Sequence, residues 1–256
     1  MLTYKLKRNI LLLITFIGII LVFFIPPIPQ NACYHHFADS REIAGIPNFY
    51  NVLSNGLFLI AGSAGIVFTV NLLLLKHRQA ALWNYFCFFT GIILTGIGSA
   101  YYHMYPSTET LVWDRLPMTI TFMAFLSIII AEFIGKNLGK KLLLHLLFVG
   151  IVSVMYWYTT ELKGHGDLRL YVLVQFLPLI LIPLILILFN KKDHSGFFYW
   201  AILSIYIVAK IAETTDARLF SITQFISGHT LKHLIASLAP LVLLSKLWKE
   251  NRFQKI

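Results

Sequence analysis

The chain has 256 residues, of which 58% are hydrophobic and only 12% charged, with a net charge of +10. A soluble domain carries about 25% charged residues, so composition excludes an ordinary water-soluble fold and points to membrane spans of about 18 or more apolar residues. The two cysteines, Cys33 in a polar segment and Cys87 inside an apolar run, support neither a disulfide framework nor a cysteine-based metal site.

Eight apolar runs follow in chain order, at about 10–28, 48–75, 81–105, 110–133, 141–159, 169–190, 197–213 and 229–247. The fold class they predict is all-α, a polytopic transmembrane helical bundle. Polar stretches between the runs are too short to fold alone, so one membrane domain is expected. The first run follows Lys5, Lys7 and Arg8 and ends in Ile25-Pro26-Pro27-Ile28-Pro29. No small-x-small cleavage site follows it, so it reads as a retained anchor rather than a cleaved signal peptide.

With the amino terminus in the cytoplasm, the inner connections are 1–9, 76–80, 134–140, 191–196 and 248–256. Counted with their flanks, they hold Lys5, Lys7, Arg8, Lys76, Arg78, Lys136, Lys140, Lys141, Lys191, Lys192, Lys246, Lys249, Arg252 and Lys255, fourteen of the 21 basic residues. Arg41, Lys163, Arg169 and Arg218 fall in outer loops. This bias follows the positive-inside rule at each inner loop. The basic residues therefore mark topology and form no continuous patch, which excludes nucleic acid as a partner.

Ionisable and metal-binding side chains within spans are costly, so they are functional candidates by default. The third run closes with Gly98-Ser99-Ala100-Tyr101-Tyr102-His103, the fourth opens with Leu111-Val112-Trp113-Asp114-Arg115-Leu116-Pro117, and the last opens with Ser227-Gly228-His229-Thr230-Leu231-Lys232-His233. The topology places all three at the outer ends of their helices. Ser99 and His103 are four apart, as are His229 and His233, so each pair projects from one helix face with Cβ atoms about 5–6 Å apart. Two imidazoles so placed form a bidentate arm for a metal, and a third from a neighbouring helix completes a three-histidine set with a fourth position left for water. Catalytic zinc sites have that shape, whereas structural ones are normally closed by four protein ligands.

Taken singly, each residue also has a plainer reading. Ser99 can hydrogen-bond the carbonyl four residues back, and Asp114 can pair with Arg115. His77, His145 and His194 fall on the inner side, while His35, His36 and His165 fall in outer loops. Lys210, Glu213 and Asp216 form a polar stripe in which a Lys210–Glu213 ion pair is expected and Asp216 could hold a ligand histidine. Tyr101, Tyr102, Tyr105 and Trp113 suit either an interfacial aromatic belt or a substrate wall.

The pattern of SxxxH at one helix end, Asp shortly after, and HxxxH on the final helix resembles the CREST superfamily of membrane hydrolases, which includes the alkaline ceramidases. The local text is similar to bacterial ceramidase-like members in Gly45-Ile46-Pro47-Asn48-Phe49-Tyr50-Asn51-Val52-Leu53-Ser54-Asn55 and in the three segments above, across about residues 35–245. The resemblance implies a seven-helix hydrolase core over 48–256, preceded by an added amino-terminal anchor helix and outer loop over 1–47. It implies zinc held by His103, His229 and His233, with Ser99 and Asp114 beside the metal-activated water. Asp114 would act as general base and Ser99 as hydrogen-bond donor or, in a rival reading, as nucleophile. It further implies amide cleavage of a ceramide-like lipid that enters from the bilayer, in a bacterial cell membrane, with the active site toward the outer face. Calcium is not carried over, because the acidic cluster of the eukaryotic alkaline ceramidases is matched only by Asp39, Glu42 and Asn48 in different spacing. The superfamily's receptor branch shares the metal residues, so a receptor-like protein with a structural zinc site is the alternative. A metal or proton transporter would need a polar path through the inner half of the bundle, which is apolar.

Overall fold

The computed structural model describes residues 2–75, 81–190 and 195–252. Lys76, His77, Arg78, Lys191, Lys192, His194 and Lys255 lie outside the described residues. Among the described residues the regular structure is helical, and eight helices are long and apolar enough to cross a membrane. The protein is therefore a multi-pass, all-α membrane protein.

The spans follow the apolar runs, and their ends differ for local reasons. Helix α1 covers Tyr4–Phe24, earlier than the run at 10–28. Thr3 caps its start, its hydroxyl accepting from the Leu6 N–H at 3.3 Å. Its end is fixed by Pro26, which pushes Ile25 into extended backbone (φ −83°, ψ 136°). The run at 48–75 is two helices, α2 (Phe49–Ser54) and α3 (Gly56–Leu74), with Asn55 at the joint. The Asn55 side chain turns back to donate to the Asn51 carbonyl at 2.7 Å. Helices α4 (Leu82–Met104), α5 (Thr108–Ile129), α6 (Lys136–Leu162), α7 (Arg169–Leu188) and α8 (Ser195–Thr214) follow, with a π-helical turn over Ile130–Ile134. A short helix α9 (Asp216–Thr223) precedes the last run, which is again divided, into α10 (Gly228–Ala236) and α11 (Leu238–Arg252). Pro240 has no N–H to give the Ala236 carbonyl, so the chain steps there instead of continuing one helix.

The chain forms two compact units. One comprises Met1–Gln30, Ala80–Phe88 and Thr119–Gly196. Within it α1 packs on α7 and α6 packs on α7. The segment after α1 is tied down by main-chain atoms: Leu168 N–H donates to the Ile28 carbonyl at 2.8 Å, and the Arg169 guanidinium to the Ile25 carbonyl at 2.9 Å. Most of α1 exposes large apolar side chains, with only Leu11 and Val22 buried, as suits a helix solvated by lipid. The buried Asn84 amide is used within this unit, donating to Ser127 Oγ at 2.8 Å and to the Gly139 carbonyl at 3.1 Å.

The other unit comprises Asn31–Gln79, Phe89–Met118 and Phe197–Ile256. Helix α10 packs on α2, α9 and α11, and α11 packs on α3. Every residue singled out above as a catalytic or metal candidate lies in this second unit, so the site can be described within it alone.

Candidate metal centre

His103 stands in the last turn of α4, with Ser99 one turn earlier. His229 and His233 stand on successive turns of α10. The start of α10 is fixed twice over. Ser227 is its N-cap, the hydroxyl accepting from Thr230 N–H at 3.1 Å, and Asp216 Oδ1 accepts from His229 N–H at 2.7 Å. A carboxylate at a helix N-terminus also meets the positive end of the helix dipole. Asp216 therefore holds His229 by its main chain rather than by its ring. Its other oxygen accepts from Ala38 N–H at 3.1 Å, which draws the segment after Asn31 against the same corner. Gly228 permits this approach, because a Cβ there would lie 2.7 Å from Asp216 Cα and 2.9 Å from its N.

The three histidines meet. Their ring centroids form a nearly equilateral triangle of 4.8, 4.9 and 5.0 Å, and one nitrogen from each lies within 4.8 Å of the others. Only 1%, 7% and 3% of His103, His229 and His233 is exposed, so water cannot be the ordinary partner of these nitrogens. His103 Nε2 and His229 Nε2 are 3.2 Å apart. Two nitrogens bound to one tetrahedral zinc at about 2.0–2.1 Å stand about 3.3 Å apart, so the pair has the separation of two ligands of one ion.

The third ring is oriented from behind. Ser54 donates its hydroxyl hydrogen to the Asn51 carbonyl at 3.1 Å, so its oxygen accepts from Nδ1–H of His233 at 2.9 Å. That leaves the lone pair of His233 on Nε2, the tautomer a metal ligand needs. Asn51 adds a second tie between α2 and α10, its Oδ1 accepting from Thr230 Oγ1 at 2.7 Å. Asn48 donates to the His103 carbonyl at 2.9 Å. Phe37 lies edge-on to the rings of His103 and His229, with centroids 4.6 and 5.0 Å away. Three borderline imidazole donors, dry surroundings and one ring fixed by an outer hydrogen bond fit a divalent transition-metal ion, zinc among them.

Ser99 and Asp114 are both buried and lie close enough to interact. Gly98 makes this possible, for a Cβ there would run into the Trp113 carbonyl. The absent side chain lets α4 and α5 touch backbone to backbone one residue from both partners. Asp114 thus lies beside Ser99 of the neighbouring helix, where the sequence also allowed a local pairing with Arg115. The Arg115 guanidinium instead lies 5.4 Å from the centre of the Tyr34 ring. Tyr34 exposes 39% of its surface, yet burial of its hydroxyl end raises that group above the ordinary tyrosine range. Glu213 adds to the rise, and Lys232 and Arg115 oppose it.

The Lys210–Glu213 ion pair is present, and Lys232 joins it, its Nζ 3.0 Å from Glu213 Oε1. The remaining described histidines stand apart from the triad. His35 bonds the Tyr102 hydroxyl at 3.0 Å and faces Thr108 Oγ1 at 3.3 Å, while His145 and His165 turn to nearby carbonyls. Cys33 and Cys87 are free thiols. The contributions of Ser54, Asn51, Asn48, Phe37 and Lys232 were not readable as roles from the sequence. The segment carrying Asn48, Asn51 and Ser54 nevertheless drew notice as text similar to ceramidase-like proteins, and Lys232 shares the helix face of both α10 histidines.

The model of the Ceramidase family matches residues 30–246. The chain belongs to the ceramidase family. The match begins after α1 and covers the whole metal centre. Membership implies an amide hydrolase acting on a lipid, and the buried triad supplies a place where such an enzyme could hold a metal ion. No curated protein matches the chain significantly.

Proposed function

We propose that the protein is a zinc-dependent membrane amidohydrolase that cleaves a ceramide-like lipid into a fatty acid and a long-chain amine. His103, His229 and His233 are the metal ligands, Asp114 the general base and Ser99 a hydrogen-bond donor to the water or the developing oxyanion. The observation that carries this reading is the convergence of three buried imidazoles from α4 and α10, in the same unit as a Ser99–Asp114 pair. A chain of the ceramidase family has an amide-cleaving use for that arrangement.

Zinc bound by the triad supplies a water acidic enough to serve as hydroxide near neutral pH and a Lewis acid for the amide carbonyl. Asp114 takes a proton from the attacking water and returns it to the leaving amine, which otherwise would depart as an unstable anion. Ser99, buried beside Asp114, has one hydroxyl proton to donate to the water or the developing oxyanion. Ser99 is less suited to be a nucleophile, because the metal-activated water already provides one and the three nearby imidazoles are assigned to metal. Burial serves the chemistry as well, since each of these contacts acts more strongly away from bulk water. The charge bias of the loops supports an inner amino terminus and a site opening on the outer face, where an acyl chain can enter from the bilayer.

Purified protein incubated with ceramide and analysed by product mass spectrometry tests the reading. Wild type releases fatty acid and sphingoid base, and Asp114→Asn loses at least about 10²-fold in rate while retaining metal. Metal retention with no turnover in wild type would favour the receptor-like alternative.

A further inference from the structure

Lys232 follows His229 by three residues and precedes His233 by one, so α10 sets all three on one face. Its Nζ lies 3.0 Å from Glu213 Oε1 and 3.0 Å from His229 Nε2, and with that nitrogen given to a metal ion the ammonium would keep Glu213 and lose its second acceptor. Glu213 also binds Lys210, so one carboxylate carries two ammonium groups. The side chains of Lys232 and Glu213 are only 19% and 17% exposed. Glu213 is shared between Lys210 and Lys232, so it neutralises neither ammonium alone. Beside a metal centre such a charge opposes binding of the dication, so it is not placed there to hold the ion. It does favour an anion that contacts both the ion and the ammonium.

We propose that Lys232 is a catalytic residue that contacts the acyl oxygen of the substrate. Its ammonium, aimed by Glu213, donates a hydrogen bond to the negative charge that develops on the amide oxygen and, after cleavage, to the carboxylate of the fatty-acid product. The amide oxygen is nearly neutral in the ground state, so the contact strengthens toward the transition state and raises kcat rather than tightening substrate binding. This inference rests on the hydrolase reading above and adds to it the group that recognises acyl oxygen.

The test compares dodecanoate with the neutral dodecanamide, by titration calorimetry on detergent-solubilised, metal-loaded wild type, Lys232→Met and Lys232→Arg. Metal content, kcat and KM on ceramide are measured on the same samples. Wild type should prefer the carboxylate about tenfold or more. K232M should lose the preference and on the order of 10²-fold in kcat, with KM and metal content little changed, and K232R should restore the preference. If K232M does not fold, Lys232→Gln takes its place with the same expected losses. A retained carboxylate preference overturns the proposal. So does loss of the metal together with the preference, which would make Lys232 a support for His229. A wild-type protein without metal or turnover defeats the hydrolase reading and the role of Lys232 with it, whereas failure confined to the Lys232 variants defeats only that role.

Discussion

The Ser54 hydroxyl accepts the Nδ1 proton of His233 at 2.9 Å while giving its own hydrogen to the Asn51 carbonyl. A residue of α2 thereby decides which nitrogen of an α10 imidazole faces the metal centre. Ser54→Ala removes the acceptor and leaves the ring free to adopt the other tautomer. Metal affinity should fall about 10- to 100-fold, as read by competition with a chelating dye, with the helical circular dichroism unchanged. An affinity equal to wild type would show that Ser54 does not set the ring.

Gly98 and the Trp113 carbonyl make the close contact that brings α4 and α5 together beside Ser99 and Asp114. Gly98→Ala inserts a methyl group where there is main chain, and helices cannot yield as a flexible side chain can. We expect a loss of about 1–3 kcal/mol in stability, measured as detergent unfolding, and a fall in kcat larger than the rise in KM. Metal content should stay near wild type, because the three histidines do not depend on this crossing.

Asp216 accepts from His229 N–H at 2.7 Å and from Ala38 N–H at 3.1 Å. Asparagine offers one acceptor oxygen in place of two and no charge for the helix N-terminus. Asp216→Asn should therefore destabilise the protein by about 1–3 kcal/mol and lower metal affinity, because His229 moves with its main chain. Thermal unfolding of the metal-free and metal-loaded forms separates the two effects.

These cases show what was legible in the sequence. The HxxxH and SxxxH spacings were, because helix periodicity places i and i+4 on one face whatever surrounds them. The eight spans were legible because lipid selects for apolar length. The division of the last run was not, since Pro240 breaks a helix that composition reads as continuous. Nor were Ser54 and Asn51, whose partners lie 179 residues away, whereas Asp216 was legible as a residue that could hold a ligand histidine, though not that it does so through the main chain. A hydroxyl or amide in a span looks alike whether it bonds its own helix, as Thr69 bonds the Gly65 carbonyl, or orients a ligand on another.

Asp167 gives a pH dependence remote from the metal. The guanidinium of Arg169 donates to both its oxygens, at 2.7 to 3.0 Å, and holds its pKa down at about 2, against an ordinary value of 3.8. A depressed carboxylate pKa gives stability that is complete above the ordinary value and is lost as pH falls through the folded one. Wild type should therefore exceed Asp167→Asn by roughly 1–2 kcal/mol above about pH 5, with the difference vanishing as pH approaches 2. Unfolding in detergent across that range checks it, and a gap that persists at pH 2 would contradict the assignment.

The claim on which the rest depends is that His103, His229 and His233 together hold one metal ion. Metal analysis by mass spectrometry of protein purified without added chelator or metal tests it most directly. The account predicts about one zinc per wild-type chain, and less than about a tenth of that in His103→Ala and in His233→Ala, each checked for folding. Wild type without stoichiometric metal, or alanine variants that keep it, would contradict the account.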